Sequence, residues 1–192
     1  VQRPLRAKAG ETLEIMLSDG GSIVLAPGSE IVIDSYVFAD GKGTLSLTLR
    51  SGSVRLMAGN AAASGPVTVQ SGGTTFRLSS GGMFISREPG GDRASLLLGG
   101  PLVASGAGQT QEIVRPGFEL RTSADGSPSG PRRQPEGQAF ADASAVNPGL
   151  TSGGLARILG GSDAEAEALA RKSDDGSLTR TEVASQDATP TP

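Results

Sequence analysis

Asp19-Gly20-Gly21-Ser22-Ile23-Val24-Leu25-Ala26-Pro27-Gly28-Ser29-Glu30-Ile31-Val32-Ile33-Asp34 reads as strand, turn, strand. Ile23 to Leu25 and Ile31 to Ile33 are short runs of β-branched and aliphatic side chains, the kind that fit a pleated surface. Pro27-Gly28 between them is a turn signal, because Pro fixes φ and Gly accepts a positive one. Asp19-Gly20 ahead of them, and Asp40-Gly41 after them, predict tight hairpin turns of type I′, which need positive φ at both central residues.

Working outward, the same grammar continues to about Thr122. Leu13, Ile15 and Leu17 alternate with Glu14 and Met16, and Leu45, Leu47 and Leu49 with Ser46, Thr48 and Arg50. A period of two predicts strands with one buried and one wet face. It recurs at Val54/Leu56, Val67/Val69, Phe76/Leu78 and Phe118/Leu120. Glu30 to Phe38 is apolar on both parities, which predicts a strand covered on both faces or one whose outer face meets a partner. Ser51-Gly52, Gly72-Gly73, Gly81-Gly82, Pro89-Gly90-Gly91, Gly99-Gly100-Pro101 and Pro116-Gly117 punctuate the rest. About ten to twelve short strands at spacings of about 8–12 residues fit an all-β sandwich, barrel or coil. Gly at 29 of 192 residues and aromatics at 3% favour a thin core over a deep globule.

Residues 1–122 are thus read as a β domain and 123–150 as a Pro/Gly/Ser linker too poor in apolar side chains to offset chain entropy. Residues 151–192 are read as a short, partly helical tail ending in disorder. Leu155, Ile158 and Leu159 share one helical face, and Ser162-Asp163-Ala164-Glu165 is a capping-box pattern opening an Ala-rich stretch that carries Leu169. Alone in water such a helix is marginal, so a partner surface is expected to order it.

The composition restricts the chemistry. Histidine is absent, which removes the usual general base and the commonest metal ligand, and cysteine is absent too. A Ser-His-Asp or Cys-His site is therefore impossible within this chain. A Ser-Lys dyad has only Lys8, Lys42 and Lys172 to draw on, each in polar or turn-like sequence. Glu30 and Asp34, about 13 Å apart along an extended strand at ~3.3 Å per residue, lie too far apart for a retaining carboxylate pair; hydrogen bonding at a bend of the strand is the expected role of Asp34. Arg171 to Glu182 partly fits a calcium loop, with Asp175, Gly176, Leu178 and Glu182 in register. Arg171 at the first ligand position puts a cation where the ion needs an oxygen, so a polar loop explains the segment better. No enzyme activity and no cofactor are expected.

Net charge is −3, with a pI near 5.0. Arg132-Arg133 is the one adjacent basic pair, and nucleic-acid binding needs clustered cations. No apolar run approaches the roughly 18–20 residues of a transmembrane helix. Val1 in place of Met predicts that a leading segment has been removed, by a signal peptidase or by trimming.

The order of motifs from Ala9 to Thr122 resembles the FecR-type domain of bacterial envelopes. The resemblance rests on Asp19-Gly20-Gly21-Ser22, the strand Ile23 to Leu25, Pro27-Gly28-Ser29, and the strand Ile31 to Asp34. It extends through the aromatic-bearing Tyr36 to Asp40, the Leu strand 45–49, Gly52-Ser53-Val54-Arg55-Leu56, Val67 to Val69, Gly73-Thr74-Thr75-Phe76 and Pro116-Gly117-Phe118. It implies an all-β flattened coil or sandwich that is exported to the periplasm and engages other envelope proteins. The family namesake adds a membrane helix and a sigma-factor-controlling segment, and neither is expected in these residues. The expected function is a non-enzymatic interaction module of an envelope assembly. The alternatives are a glycan- or peptidoglycan-binding domain and a sensory or regulatory subunit of cell-surface signalling. Expected contact residues are Tyr36, Val37 and Phe38 on the strand, with Leu155, Ile158, Leu159 and Leu169 in the tail. Arg55, Arg77, Arg87 and Arg121 are expected to alternate outward as solvated charges that discourage edge pairing.

Overall fold

The computed structural model describes residues 3–135 and 137–146. The chain winds back and forth between two seven-stranded sheets, mostly two strands at a time. β1 (Leu5–Arg6) opens the first sheet; β2 (Leu13–Met16) and β3 (Ser22–Leu25) lie in the second. β4 (Glu30–Ala39) and β5 (Lys42–Ser51) return to the first, and β6 (Ser53–Met57) crosses to the second. After a 3-10 helix at Asn60–Ala63, β7 (Val67–Ser71) and β8 (Thr74–Leu78) join the first sheet. β9 (Gly81–Glu88) and β10 (Gly91–Gly99) join the second, and β11 (Leu102–Gly106) and β12 (Gln109–Ile113) the first. β13 (Phe118–Thr122) and β14 (Pro128–Arg133) complete the second. The first sheet runs β1-β4-β5-β7-β8-β11-β12, and the second β14-β13-β10-β9-β6-β3-β2. All pairs are antiparallel except β5 with β7, which are parallel because β6 carries the chain through the other sheet between them.

This is the expected all-β flattened coil, with fourteen strands among the described residues in place of ten to twelve. Part of the excess is β14, which carries almost no apolar pattern, and part is the two-residue β1, too short to show any period. The alternating residues do what their period requires. Ile23, Leu25, Ile31, Leu47, Leu49, Val54, Leu56, Val69, Phe76, Leu78, Ile85, Leu96 and Leu120 meet between the sheets in one buried core.

The turns divide. Asp40 and Gly41 both have positive φ, 53° and 73°, as a type I′ hairpin between β4 and β5 requires. The Asp19-Gly20 turn is different: only Gly20 is left-handed, and five residues separate Met16 from its cross-strand partner Ser22. Asp19 has turned inward. Its carboxylate accepts hydrogen bonds from the backbone N–H of Gly21 and Ala61, both at 3.0 Å, and its own N–H donates to the Tyr36 hydroxyl at 3.1 Å. One acidic side chain thereby ties the β2–β3 turn to the 3-10 helix and to β4.

The segment expected to be linker is ordered through Val146. β14 pairs with β13 from Phe118↔Arg133 to Thr122↔Pro128, and helix α1 (Gln138–Val146) follows it. Apolar content is not what orders it. The turn into β14 is closed by Asp125, whose carboxylate accepts from the Ser123 hydroxyl at 2.6 Å and from the Ser127 N–H and hydroxyl at 3.0 Å each. The Ser123 hydroxyl, then the two Ser127 donors, hold Asp125 below its ordinary carboxyl pKa. Thr74 donates to the Gly126 carbonyl at 2.9 Å, fastening this turn to the first sheet.

Candidate interaction surfaces

The β4–β5 hairpin overhangs its neighbours. β1 pairs only with Glu30 and Ile31 of the ten residues of β4, so among the described residues most of that edge of β4 is unpaired. β7 covers β5 only from Ser46 to Leu49. A register shift between Ile33 and Ser35 sets Asp34 apart as a bulge, and its carboxylate accepts from the Thr48 hydroxyl at 2.8 Å. Glu30, at the other shift, faces Arg6 at 2.6 Å and Arg50 at 3.6 Å, so the two acids have separate structural roles.

The three contact residues expected on β4 divide accordingly. Tyr36 is half-buried, packs on the core and bonds to Ser18 at 2.8 Å; it anchors the hairpin and does not present it. Phe38 is half-buried as well. Val37, 59% exposed, is the one that faces outward, and it joins Met16 and Val114 as the large apolar residues left open among those described. Leu155, Ile158, Leu159, Leu169, Asp175 and Glu182 lie outside the described residues. Among the described residues no group of three or more carboxylates is placed to hold a metal ion.

Of the four arginines expected to alternate outward as solvated charges, Arg55, Arg77 and Arg121 take the outward parity and Arg87 does not, and Arg55 is buried. Arg77 is exposed on the outer face of the first sheet, while Arg55, Arg87 and Arg121 belong to the second. Arg87 shares the parity of the inter-sheet core and sits at one end of the sandwich, where its Nη1 donates a long bond, 3.5 Å, to the Leu49 carbonyl. Its cross-strand partner Asp92 is buried and accepts from the Ser71 hydroxyl at 2.9 Å. Together with Gly72, Gly73, Gly90, Gly91, Glu88 and Ser123 they line a polar cavity of about 160 Å³. Burial raises the Asp92 pKa, and the Ser71 hydroxyl and the Arg87 charge only partly oppose it. A carboxyl raised in the folded state adds stability below its unfolded pKa, and that contribution is lost as pH rises through the folded value. Asp92→Asn is therefore expected to melt at or above the parent at neutral pH. It is also expected to flatten the parent's loss of stability as pH rises from the ordinary carboxyl value, a trend that melting curves across that range will read.

The outer face of the second sheet is the most elaborated surface. Register places one row straight across it: Glu14, Val24, Arg55, Phe84, Ser95, Glu119 and Arg132. Helix α1 lies on this face, and Val146 at its end joins Val24, Ala26, Phe84 and Leu97 in a second apolar cluster. The helix is pinned by Asp142, 2% exposed, which accepts from Arg93 Nη1 and Nη2 at 2.8 and 2.7 Å. Ser95, Gln134 and Gln138 donate to the same carboxylate at 3.3, 3.2 and 2.8 Å. Arg93 also reaches Glu88 at 3.1 Å and Glu119 at 3.8 Å, and its guanidinium stacks over the Phe84 ring at 5.5 Å. Burial alone would lower the Arg93 pKa; the bonds and charge of Asp142, then of Glu88, drive it above the ordinary value. None of this was legible as apolar periodicity. The one available signal was a polar residue at the inward parity of a helical stretch, Asp142 between Ala139 and Val146.

A family model described as "FecR protein" matches residues 3–99, from β1 through β10. Two solved structures share the fold, both described as a "putative anti-sigma factor" from Parabacteroides distasonis. One aligns at TM-score 0.56 and 12% identity over 73% of this chain and 64% of its own; the other aligns at 0.55 and 12% over 72% and 64%. At that identity the likeness is one of fold, and this chain spans about 64% of the length of each. No curated protein matches the chain.

Proposed function

This chain belongs to the FecR protein family, whose model spans half of it, and we propose that it is a regulatory module of cell-surface signalling that works through contacts with other envelope proteins. The match over residues 3–99 carries the reading. The fold supports it, because two solved structures that share it are each described as a "putative anti-sigma factor". The surface is suited to protein contact: among the described residues its open features include an unpaired stretch of the β4 edge and an exposed Val37. The proposal includes export to the periplasm and no enzymatic step.

Deleting the chain from its native cell tests the reading. The expected result is a change in transcription confined to a small set of operons sharing one promoter sequence. An unchanged transcript profile, or a protein that fractionates with the cytoplasm, would sink it. Val37→Asp, which leaves the core untouched, is expected to reproduce part of the deletion effect, because a charge at the centre of a contact typically weakens it by about tenfold or more. A Val37→Asp strain with parental transcription would remove the hairpin from the contact surface.

A further inference from the structure

Arg55 stands out among the charged groups that the fold does not already explain. It is 7% exposed, in the middle of β6, with Val24 and Phe84 as its direct neighbours across the sheet. Its Nε and Nη1 are enclosed, and among the described residues neither has a hydrogen-bond acceptor. Helix α1 packs against β6, and Ser144 of α1 is likewise enclosed without a partner for its hydroxyl. Burial pushes the Arg55 pKa down, opposed only by the charge of Glu14, which lies two strands away in the same row and forms no ion pair with it. An arginine stays charged at such sites, and a buried charge without a partner is strongly unfavourable.

The neighbouring arginine shows what is missing. Arg93 lies on the same outer face, stacked on the same Phe84, and has its counter-ion in Asp142, a carboxylate carried on a helix laid over the sheet. The carboxylates of Asp142, Glu88 and Glu119 on this face are taken up by Arg93, Arg121 and Arg132, and among the described residues none forms an ion pair with Arg55. We propose that the outer face of the second sheet at Arg55 docks an acidic polypeptide segment of a partner protein, whose carboxylate does for Arg55 what Asp142 does for Arg93. Charge complementarity selects the occupant; the flanking Val24 and Phe84, each 2% exposed beneath Val146, meet it only when the end of α1 moves aside. Docking shifts the last turn of α1, since that turn covers β6. The inference rests on the signalling reading only in taking the occupant to be a polypeptide.

The test uses the full chain and a short fluorescent Glu-rich peptide, with its Gln-rich counterpart as reference. The parent is expected to bind the Glu peptide at least about thirtyfold more tightly than the Gln peptide, the usual consequence of completing a desolvated charge pair. Arg55→Gln is expected to erase the difference; Arg77→Gln, on the other sheet, is expected to leave it. In the absence of peptide, Arg55→Met is expected to melt higher than the parent, because it removes an unpaired buried cation. Hydrogen exchange at 143–146 is expected to rise when the Glu peptide binds. Equal binding of both peptides by the parent overturns the proposal, as does an Arg55→Met protein that melts lower, which would mean that the arginine is already paired within the chain. Arg55-dependent binding of polygalacturonate in place of the peptide would assign the face to an acidic glycan and overturn it equally. Failure here with an intact transcriptional effect of the deletion would leave the signalling reading standing.

Discussion

Leu47→Asp is expected to abolish cooperative folding. Leu47 is fully buried in β5, opposite Ile33 on one side and Val69 on the other. β5 is the strand where the antiparallel and the parallel parts of the first sheet join. Losing a buried leucine costs about 2–3 kcal/mol in transfer alone, and an unpaired carboxylate in its place costs several more. The sum reaches the whole stability of an ordinary domain, about 5–15 kcal/mol. Circular dichroism is expected to show loss of the β signal and no melting transition. Thr68→Asp, on the solvent side of the adjacent β7, is expected to change stability by no more than about 0.5 kcal/mol. A Leu47→Asp protein that melts like its parent would mean that the two sheets do not close on each other as described.

Asp142→Ala is expected to have the second largest effect, and a local one. The substitution takes one carboxylate from five donor groups and leaves the buried guanidinium of Arg93 to Glu88 and Glu119. Removing one partner of a buried pair typically costs about 3–5 kcal/mol. Helix α1 has nine residues and is marginal without its docking contacts. The helix is therefore expected to come away while the sandwich persists: hydrogen exchange across 138–146 becomes fast, and the main melting transition stays within a few degrees. Arg93→Met with Asp142→Leu is expected to cost less than the two single changes added together, because the pair fails as a unit. Additive effects, or exchange at 138–146 equal to the parent's, would show that Asp142 does not hold the helix.

These two sites also mark what the sequence discloses and what it conceals. Leu47 sits in an alternating run, and alternation maps directly onto one face of a pleated strand, so the core and most strands were legible. Asp40-Gly41 was legible because only a few residue pairs tolerate two positive φ values in succession. Asp19-Gly20 has the same letters, yet its carboxylate is used by Gly21 and Ala61, and a contact 42 residues away leaves no trace in local spacing. β14 and α1 were misread for a related reason: they are held by Asp125, Asp142 and Arg93, and polar contacts between distant segments have no period. Val37 was legible as one of three apolar neighbours on β4, but its separation from Tyr36 depends on the bulge at Asp34 and on the Ser18 hydroxyl. Arg55 gave the opposite error, since an arginine in an alternating strand reads as a wet residue until something covers that face.

The to-and-fro path of the chain has a consequence for assembly. In the second sheet each new winding pairs with the one laid down before it: β6 on β3, β9 on β6, β13 on β10. No late strand is threaded between two early ones, so a polypeptide delivered end first, from a ribosome or through a secretion pore, can deposit its windings in the order in which they emerge. The growing edge remains an open template until β14, the last strand described, is laid against β13.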